Sequence, residues 1–248
     1  MSQALIENRA EVAILRLNNG VINAISPTLL EDVSAALNQI KSEYHGMVLA
    51  GGPKFFSIGL ELPTLLKLNR SDLTDFMDRF YQVVFELYTF PLPSVCALAG
   101  HAPAGGTVFA MTCDYRFAAA GRKVIGLNEV KIGLPVPVIA DGMLRQIVGD
   151  RAATEILYLG EFLQPEAAQQ IGLVDEIFPI EEVEDQAVEK VNRLLTNPRY
   201  ALPIMKANRV EAVKSKFLAH KSVDVQAFIE CWFEPPTQNL LNETAQQF

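Results

Sequence analysis

Short apolar runs alternate with longer stretches of helical periodicity through most of the chain. Runs of small and β-branched residues predict buried strands, and apolar residues that recur every three or four positions predict amphipathic helices. Alternation of the two patterns is typical of an α/β fold. The predicted strands cover residues 12–17, 47–50, 94–99, 115–118 and 174–178.

Two of the predicted helices have recognisable starts. Ser26 followed by Pro27 is typical of an N-cap and a first helical residue, and the apolar positions after it recur on one face as far as Ile40. Ser71 is expected to cap the next long helix, which Pro91 ends. Shorter helices are predicted over residues 105–113, 142–148, 151–159 and 165–171.

The last part of the chain no longer shows the alternation of strand and helix patterns. After Pro198 the pattern is wholly helical, with one helix expected over residues 201–219 and another from residue 222. Pro235 and Pro236 interrupt the last helix, and no strand is expected in this region. We therefore predict an α/β core over residues 1–197 and a C-terminal helical region over residues 198–248.

The composition is that of a globular protein and argues against several classes of partner. With 248 residues, 50% of them hydrophobic, the chain can bury a sizeable core. The net charge of −8 argues against a nucleic-acid surface and against a basic stripe that binds membranes. The cysteines form no CxxC pair and the histidines lack metal-ligand spacing, so we expect a reduced intracellular protein without a metal site. These residues are Cys96, Cys113, Cys231, His45, His101 and His220.

No segment is predicted to cross a membrane. The run over residues 90–113 carries no charge, yet it contains three prolines, three glycines and a histidine, so a buried strand followed by a helix explains it better. The N-terminus has no basic segment followed by an apolar core, and nothing marks a secretory signal. A cytoplasmic location is expected, or an intracellular matrix if a targeting segment has been removed.

Two glycine-containing turns are candidates for binding an oxyanion through backbone amides. In the sequence APAGG after His101, Gly105 and Gly106 open a predicted helix, where amides have no intrahelical acceptor and the dipole favours negative charge. Upstream, a turn containing Gly59 presents the amide of Leu60 to the same point if the two preceding strands are parallel neighbours. Close packing alone is the alternative explanation of these turns.

Glu129, in the sequence IGLNE, is the candidate for proton transfer. Most of its neighbours are apolar, and burial among them would raise the pKa of its carboxyl group toward the working pH. One base at Glu129, together with the amides of Leu60 and Gly105, would suit the formation of a thioester enolate. A solvated loop position is the alternative for this glutamate.

Three motifs, FFSIGLEL, HAPAGGTVFAMTCDYRFAA and IGLNEVKIGLP, together resemble the crotonase (enoyl-CoA hydratase/isomerase) superfamily. The resemblance covers nearly the whole chain, and the APAGG turn, the IGLNE carboxylate and the DVQAFIECW segment most resemble mitochondrial-type Δ3,Δ2-enoyl-CoA isomerases. It implies a crotonase-like spiral of ββα units, followed by C-terminal helices that assemble into a homotrimer or a dimer of trimers. Coenzyme A is then part of an acyl-CoA thioester substrate, and no separate cofactor is expected.

The same resemblance implies roles for individual residues. Glu129 corresponds to the catalytic carboxylate, the amides of Leu60 and Gly105 form the oxyanion hole, and Gly106 is the alternative donor. The residues expected to contact the acyl-CoA are Ser57, Ile58, Leu60 and Gly106.

Carboxylate positions separate two reactions of the superfamily. Its hydratases carry one glutamate in the helix after the glycine turn and a second on the following loop, whereas here Val108 occupies the first position and Glu129 the second. Hydration usually needs both carboxylates, while a double-bond shift needs one that takes a proton from C2 and returns it at C4. We therefore predict isomerisation of a 3-enoyl-CoA to the 2-trans-enoyl-CoA. The alternatives are an enoyl-CoA hydratase, another crotonase-type acyl-CoA reaction and a catalytically silent acyl-CoA-binding subunit.

Several other positions have both a functional and an ordinary interpretation. Lys54 is a candidate contact for the phosphates of coenzyme A or a solubilising surface residue. His101 either lines the site or contributes to packing. Trp232 and the neighbouring Phe228 and Phe233 either shield acyl carbons, form a subunit contact or only pack their helix.

Overall fold

Parallel strands form the centre of the protein in the computed structural model, which describes residues 2–246. The strands are β1 (Ala4–Arg9), β2 (Val12–Leu17), β3 (Gly46–Ala50), β4 (Ser94–Leu98), β5 (Ala102–Pro103), β6 (Tyr115–Ala119), β7 (Ile125–Gly126) and β8 (Glu176–Phe178). The main sheet has the order β1-β2-β3-β4-β6-β8; its first pair is antiparallel and every following pair is parallel. The strands β5 and β7 pair in a separate small sheet.

Helices pack against this sheet and make up the C-terminal part of the chain. The first one starts as predicted, because the Ser26 hydroxyl accepts a hydrogen bond of 3.0 Å from the amide of Leu29. The helices are α1 (Pro27–Glu43), α2 (Leu62–Leu65), α3 (Arg70–Tyr88), α4 (Gly105–Met111), α5 (Val138–Val148), α6 (Asp150–Leu159), α7 (Pro165–Gln170), α8 (Val183–Leu195), α9 (Ala201–Trp232) and α10 (Pro235–Ala245), with a 3-10 helix at Glu129–Ile132.

One structural unit repeats through the core. Each of the strands β3, β4 and β6 is followed by a short strand or isolated bridge outside the main sheet, and then by helical structure. After β3 the bridging residues are Phe55 and Leu60, after β4 the second strand is β5, and after β6 it is β7. This repeat is the spiral of ββα units that the resemblance implies, and the expected C-terminal helices follow it, so the predicted fold class is confirmed.

Both faces of the central strands are buried, which explains why they appear in the sequence as continuous apolar runs. Alternate residues of β3 face opposite sides, with Met47 in the larger core and Val48 in a smaller one. The helix α8, which the sequence analysis did not predict, covers the smaller core. It packs so closely on β3 that a Cβ at Gly46 would lie 2.2 Å from a methyl group of Val191.

Two details predicted for the helices are wrong. The N-cap of α3 is Asn69 and not Ser71, since the Asn69 side chain accepts a hydrogen bond of 3.0 Å from the amide of Asp72. The break expected between residues 219 and 222 is absent, because α9 runs without interruption from Ala201 to Trp232. The break at the two prolines is confirmed: α10 begins at Pro235, in a first turn where a missing amide costs nothing.

The uncharged run over residues 90–113 folds as a buried segment of the core. It contains β4, β5 and α4, as expected for a strand followed by a helix. Between residues 2 and 246, no helix combines the length and the hydropathy that a membrane span requires.

A buried lysine anchors the start of α9 to the sheet. The ammonium group of Lys206 donates to the carbonyl of Leu92 at 2.8 Å, to the hydroxyl of Ser94 at 3.2 Å and to the carboxylate of Asp114 at 2.8 Å. Its three protons are therefore all satisfied, which a buried ammonium group requires. Arg209, one turn further along α9, binds the other oxygen of Asp114 at 2.6 Å. This network fixes the C-terminal helices relative to the first residues of β4.

The variant Lys206→Met tests this anchor while keeping the aliphatic part of the side chain. We expect it to lower the free energy of unfolding by about 3 kcal/mol, because removing one partner leaves buried acceptors unpaired. Lys214→Met, on the same helix but partly exposed and paired only with Glu211, is expected to change it by about 0.5 kcal/mol or less. Urea denaturation followed by circular dichroism measures both, and equal effects would contradict the anchor.

Candidate active site

The segments that follow β3 and β4 converge at one edge of the sheet. These strands are parallel neighbours, so their carboxyl ends point the same way. Backbone hydrogen bonds then join the two exits: the amide of Phe56 donates to the carbonyl of His101 at 2.8 Å, and the amide of His101 donates to the carbonyl of Lys54 at 3.0 Å. The condition that the sequence left open for the two turns is therefore met.

The amide of Leu60 is left free by its neighbours. Ile25 pairs with this segment on one side, donating to the carbonyl of Gly59 at 2.8 Å and accepting from the amide of Glu61 at 3.2 Å. Because alternate amides of an extended segment point in opposite directions, the amide of Leu60 faces away from Ile25. Across residues 2–246 it has no hydrogen-bond acceptor. Leu60 itself lines a cavity at this point.

The amide of Gly105 lies close to the same place. Gly105 is the first residue of α4, so its amide has no intrahelical acceptor. A Cβ at Gly59 would lie 2.9 Å from the nitrogen of Gly105, and a Cβ at Gly105 would lie 3.0 Å from the Cα of Gly59. Only glycine permits this contact, and Gly59 also has a positive φ of 89°. The preceding Ala104 has a φ of 49°, a conformation that costs an alanine about 1–3 kcal/mol.

Glu129 reaches the cavity from the exit of β6. The amide of Ala104 donates to the carbonyl of Gly126 at 2.8 Å, which holds β7 beside the glycine turn. Glu129 is the first residue of the 3-10 helix that follows β7, and its carbonyl accepts a hydrogen bond of 3.0 Å from the amide of Leu134. The loop is thereby closed around the glutamate, and its side chain is only 8% exposed.

These three segments surround a cavity of about 260 Å³. Its lining is mostly apolar, and Glu129 is the one titratable side chain among the lining residues that the structure describes. Asn128 and Thr244 are the other polar side chains of the lining. Nowhere in residues 2–246 do three or more His, Cys, Asp or Glu side chains form a group that would hold a metal ion.

The electrostatic environment of Glu129 is set by burial. Burial raises the pKa of its carboxyl group from an ordinary 4.5 to about 7, and a hydrogen bond from its own backbone amide opposes this shift. One carboxylate oxygen, Oε2, is buried and has no hydrogen-bond partner among the described residues. A carboxyl group with a pKa near neutrality exists in both forms at physiological pH, so it can both accept and donate a proton.

Most of the predicted site residues come together here. Ile58, Leu60, Gly105 and Glu129 all line the cavity. The predicted contacts Ser57 and Gly106 do not line it. Ser57 is buried, and its hydroxyl donates to the carbonyl of Asn23 at 2.7 Å and accepts from the amide of Gly59 at 3.2 Å. A Cβ at Gly106 would lie 2.2 Å from the carbonyl oxygen of Ser57, so these two residues hold the loops together.

Asn128, beside Glu129, and Thr244 of α10 line the cavity without having been predicted from the sequence. Phe228 of α9, for which shielding of acyl carbons was one interpretation, also lines it. The predicted C-terminal region therefore contributes to the same cavity as the predicted core. Of the three interpretations of Phe228, its place in the lining agrees with contact to a ligand. Trp232 does not line the cavity, and its ring centroid lies 6.0 Å from that of Phe228.

Comparisons with known proteins agree with this geometry. Residues 7–237 match the family model described as "Enoyl-CoA hydratase/isomerase". Human "Enoyl-CoA delta isomerase 1, mitochondrial" is 31% identical over 224 residues, which cover 89% of this chain and 74% of that protein. A "Probable enoyl-CoA hydratase echA17" of Mycobacterium avium is 29% identical over 206 residues, or 82% of this chain and 79% of its own length.

A solved structure shows a close likeness over nearly the whole fold. The crystal structure of human mitochondrial delta3-delta2-enoyl-CoA isomerase superposes with a TM-score of 0.95 at 29% sequence identity. The superposition covers 99% of this chain and 97% of the human one.

A variant of Glu129 tests whether the carboxylate is buried without a partner. Because the pKa in the folded state lies above 4.5, ionisation destabilises the folded protein, and stability falls as pH rises through about 7. Glu129→Gln removes this effect. The unfolding free energy of the variant minus that of the wild type should therefore be larger at pH 8.5 than at pH 5. At about 1.4 kcal/mol for each unit of pKa, the extra gain is at most about 3 kcal/mol.

Denaturant titrations of both proteins at several pH values measure this difference. The control is Glu61→Gln, which alters a carboxylate near the first loop that does not line the cavity. It gives, at each pH, the effect of replacing a glutamate outside the cavity. A Glu129→Gln difference that does not change with pH would show that the carboxylate is solvated.

Proposed function

The chain belongs to the enoyl-CoA hydratase/isomerase family, and we propose that it is a Δ3,Δ2-enoyl-CoA isomerase, which converts a 3-enoyl-CoA to the 2-trans-enoyl-CoA. One observation supports the proposal above all others: among the described residues, Glu129 is the single titratable side chain that lines the cavity, and two backbone amides without an acceptor also reach it. The only cofactor-like group that the reaction needs is the coenzyme A of the substrate itself.

The first step is removal of a proton from C2 of the bound 3-enoyl thioester. Ionised Glu129 accepts this proton, and the electrons of the broken C–H bond pass into the thioester, giving a dienolate with its negative charge on the thioester oxygen. The amides of Leu60 and Gly105 donate hydrogen bonds to that oxygen. Because neither amide has an acceptor to give up in the part of the chain that the structure describes, they are oriented before the charge develops.

The second step returns the proton at C4. Glu129, now a carboxylic acid, donates the proton to C4, the double bond forms between C2 and C3, and the thioester carbonyl is restored. No atom is gained or lost, so one group that acts first as base and then as acid is sufficient. A pKa near 7 suits both roles, since neither form of the carboxyl group is strongly disfavoured at neutral pH.

Val108 is the reason to prefer an isomerase over a hydratase. It is buried and lines the cavity in α4, where the hydratases of the superfamily carry their other glutamate. Without a second carboxylate, no lining residue is suited to share the activation of water with Glu129. A catalytically silent subunit is disfavoured for a different reason: an unpartnered buried carboxylate costs stability, and a silent protein gains nothing in return.

The coenzyme A part of the substrate is expected to lie at the open end of the cavity. Phe55 lines the cavity, and the exposed Lys54 places its ammonium group 5.5 Å from the centre of that ring. Lys123 lies nearby, with its ammonium group 3.4 Å from the carbonyl of Pro53. Two cations at this rim suit the phosphates of coenzyme A. The homotrimer or dimer of trimers and the cytoplasmic location stay predictions, and the human relative is by name a mitochondrial protein.

The proposal is tested with two thioesters, 3-cis-hexenoyl-CoA and crotonyl-CoA. We expect the first to be converted to the conjugated 2-enoyl thioester, followed by its ultraviolet absorbance, and the second not to be hydrated, followed by chromatography of the 3-hydroxyacyl product. Glu129→Gln should lower the rate of conjugation at least about 100-fold, because it removes the only base. Glu61→Gln is the matched control and should react like the wild type. Rapid hydration would identify a hydratase, and binding without reaction would identify a silent subunit.

The pH dependence of the reaction tests the protonation state of Glu129 directly. The ionised form accepts the first proton, so kcat/KM should rise with pH and level off above an inflection near 7. An inflection near 4.5 would contradict burial of the base. His101 is the nearby histidine to exclude, and burial, followed by the charges of Lys123 and Lys54, lowers the pKa of its ring. The variant His101→Gln should keep the inflection if Glu129 is its source.

A further inference from the structure

The cavity has a distinct open end and a distinct closed end. At the open end Phe162 is 39% exposed, and Phe55 and Pro103 are partly exposed. At the other end Met77, Phe80 and Phe228 are almost completely buried, with Phe228 only 2% exposed. These side chains come from α3 and α9, which pack against each other. A ligand that enters at the exposed residues therefore meets a closed apolar floor.

If the proposed function holds, the distribution of charge sets the orientation of the acyl-CoA in the cavity. The phosphates of coenzyme A need water and cations, which the open end supplies through Lys54 and Lys123. The thioester must lie between the amides of Leu60 and Gly105. The acyl tail then continues to the floor, where the side chains of Met77, Phe80 and Phe228 are apolar and burial of methylene groups is favourable.

The floor limits the length of that tail. The side chains of Met77, Phe80 and Phe228 close the cavity where the tail continues from the thioester. A tail that reaches beyond this point has to displace the floor. Close-packed interiors resist such displacement.

Phe228 is a firmly packed part of the floor. Met77 is an unbranched side chain that adapts to its surroundings, and Phe80 stacks on Phe109 at 6.2 Å within the central core. Phe228 is held by Trp232, whose ring is fully buried behind it in the same helix. It therefore forms a rigid wall that shortening of one side chain would remove.

We propose that Phe228 determines the acyl-chain specificity of this protein, by closing the cavity so that short 3-enoyl-CoA thioesters are preferred over long ones. The orientation of the substrate in this inference rests on the proposed isomerase function, but the shape of the floor does not depend on the reaction. The C-terminal helical region then takes part in substrate selection and not in assembly alone.

The test compares kcat/KM for 3-cis-hexenoyl-CoA and 3-cis-dodecenoyl-CoA. The wild type should prefer the six-carbon substrate by at least about tenfold, since pockets discriminate at about that level for each misfitting methylene group. Phe228→Ala should raise the dodecenoyl-to-hexenoyl ratio by about tenfold or more, and Phe228→Leu should raise it less. If Phe228→Ala does not fold, the smaller rise of the ratio expected for Phe228→Leu still tests the proposal.

Phe217→Ala is the matched control. Phe217 lies on the same helix and is equally buried, but it stacks on Phe85 at 5.0 Å and does not line the cavity. Its substitution removes a core phenylalanine without opening the floor, so the ratio should stay that of the wild type. A ratio that changes equally in both variants would show a general effect of loosened packing and would overturn the role of Phe228.

Binding of saturated thioesters separates this inference from the proposed function. Calorimetric titration with hexanoyl-CoA and dodecanoyl-CoA needs no turnover, so it measures the length limit even if the protein isomerises nothing. Tighter binding of hexanoyl-CoA by the wild type, with a gain for dodecanoyl-CoA in Phe228→Ala, would support the floor in that case. Equal or tighter binding of dodecanoyl-CoA by the wild type would refute it, whatever the reaction.

Discussion

The contact between Gly59 and Gly105 is the constraint on which the site depends. Parallel pairing of β3 and β4 sends both chain exits to one edge of the sheet, and backbone hydrogen bonds around His101 join them. At the point of contact neither glycine has room for a Cβ. The amides of Leu60 and Gly105 are brought together by main-chain geometry alone, so their orientation does not rely on flexible side chains. Such preorganised donors need no rearrangement when negative charge develops nearby.

Buried polar groups that hold the fold together have hydrogen-bond partners, whereas two polar groups of the cavity have none among the described residues. The buried ammonium group of Lys206 has three acceptors, whereas Glu129 Oε2 and the amide of Leu60 have no partner in the described residues. Burying an unpaired polar group costs stability, and the strained backbone of Ala104 adds to that cost. The hydrophobic cores on both faces of the sheet must offset it. In the proposed reaction, a bound substrate supplies both missing partners: an oxygen for the amide of Leu60 and a transferable proton for Glu129.

The sequence predicted the parts of the site that depend on local chemistry. Glycine turns and a lone carboxylate among apolar residues made Gly105, Leu60 and Glu129 candidates, and the resemblance to the crotonase superfamily favoured a site over packing or a solvated loop. The central strands, buried on both faces, were predicted from their apolar runs. The helix α8 was missed although Val183, Ala187 and Val191 recur at four-residue spacing, a clear amphipathic pattern that the sequence analysis did not use. Phe228 was seen as an aromatic residue of a helix, but only the tertiary path of α9 shows that it faces the cavity. Contacts between residues that are far apart in the chain leave no local pattern in the sequence.

The uninterrupted course of α9 joins the stability of the fold to the shape of the cavity. Lys206 fixes the start of this helix at Ser94, where β4 begins, while Phe228 reaches the cavity beyond the carboxyl ends of the strands. At about 1.5 Å for each residue, the helix spans about 33 Å between these two points. A break between residues 219 and 222, as the sequence suggested, would leave the floor attached only through α10 and local packing. Because the helix is continuous, the position of Phe228 is determined by an anchor at the opposite edge of the sheet, which makes a rigid floor compatible with a C-terminal location.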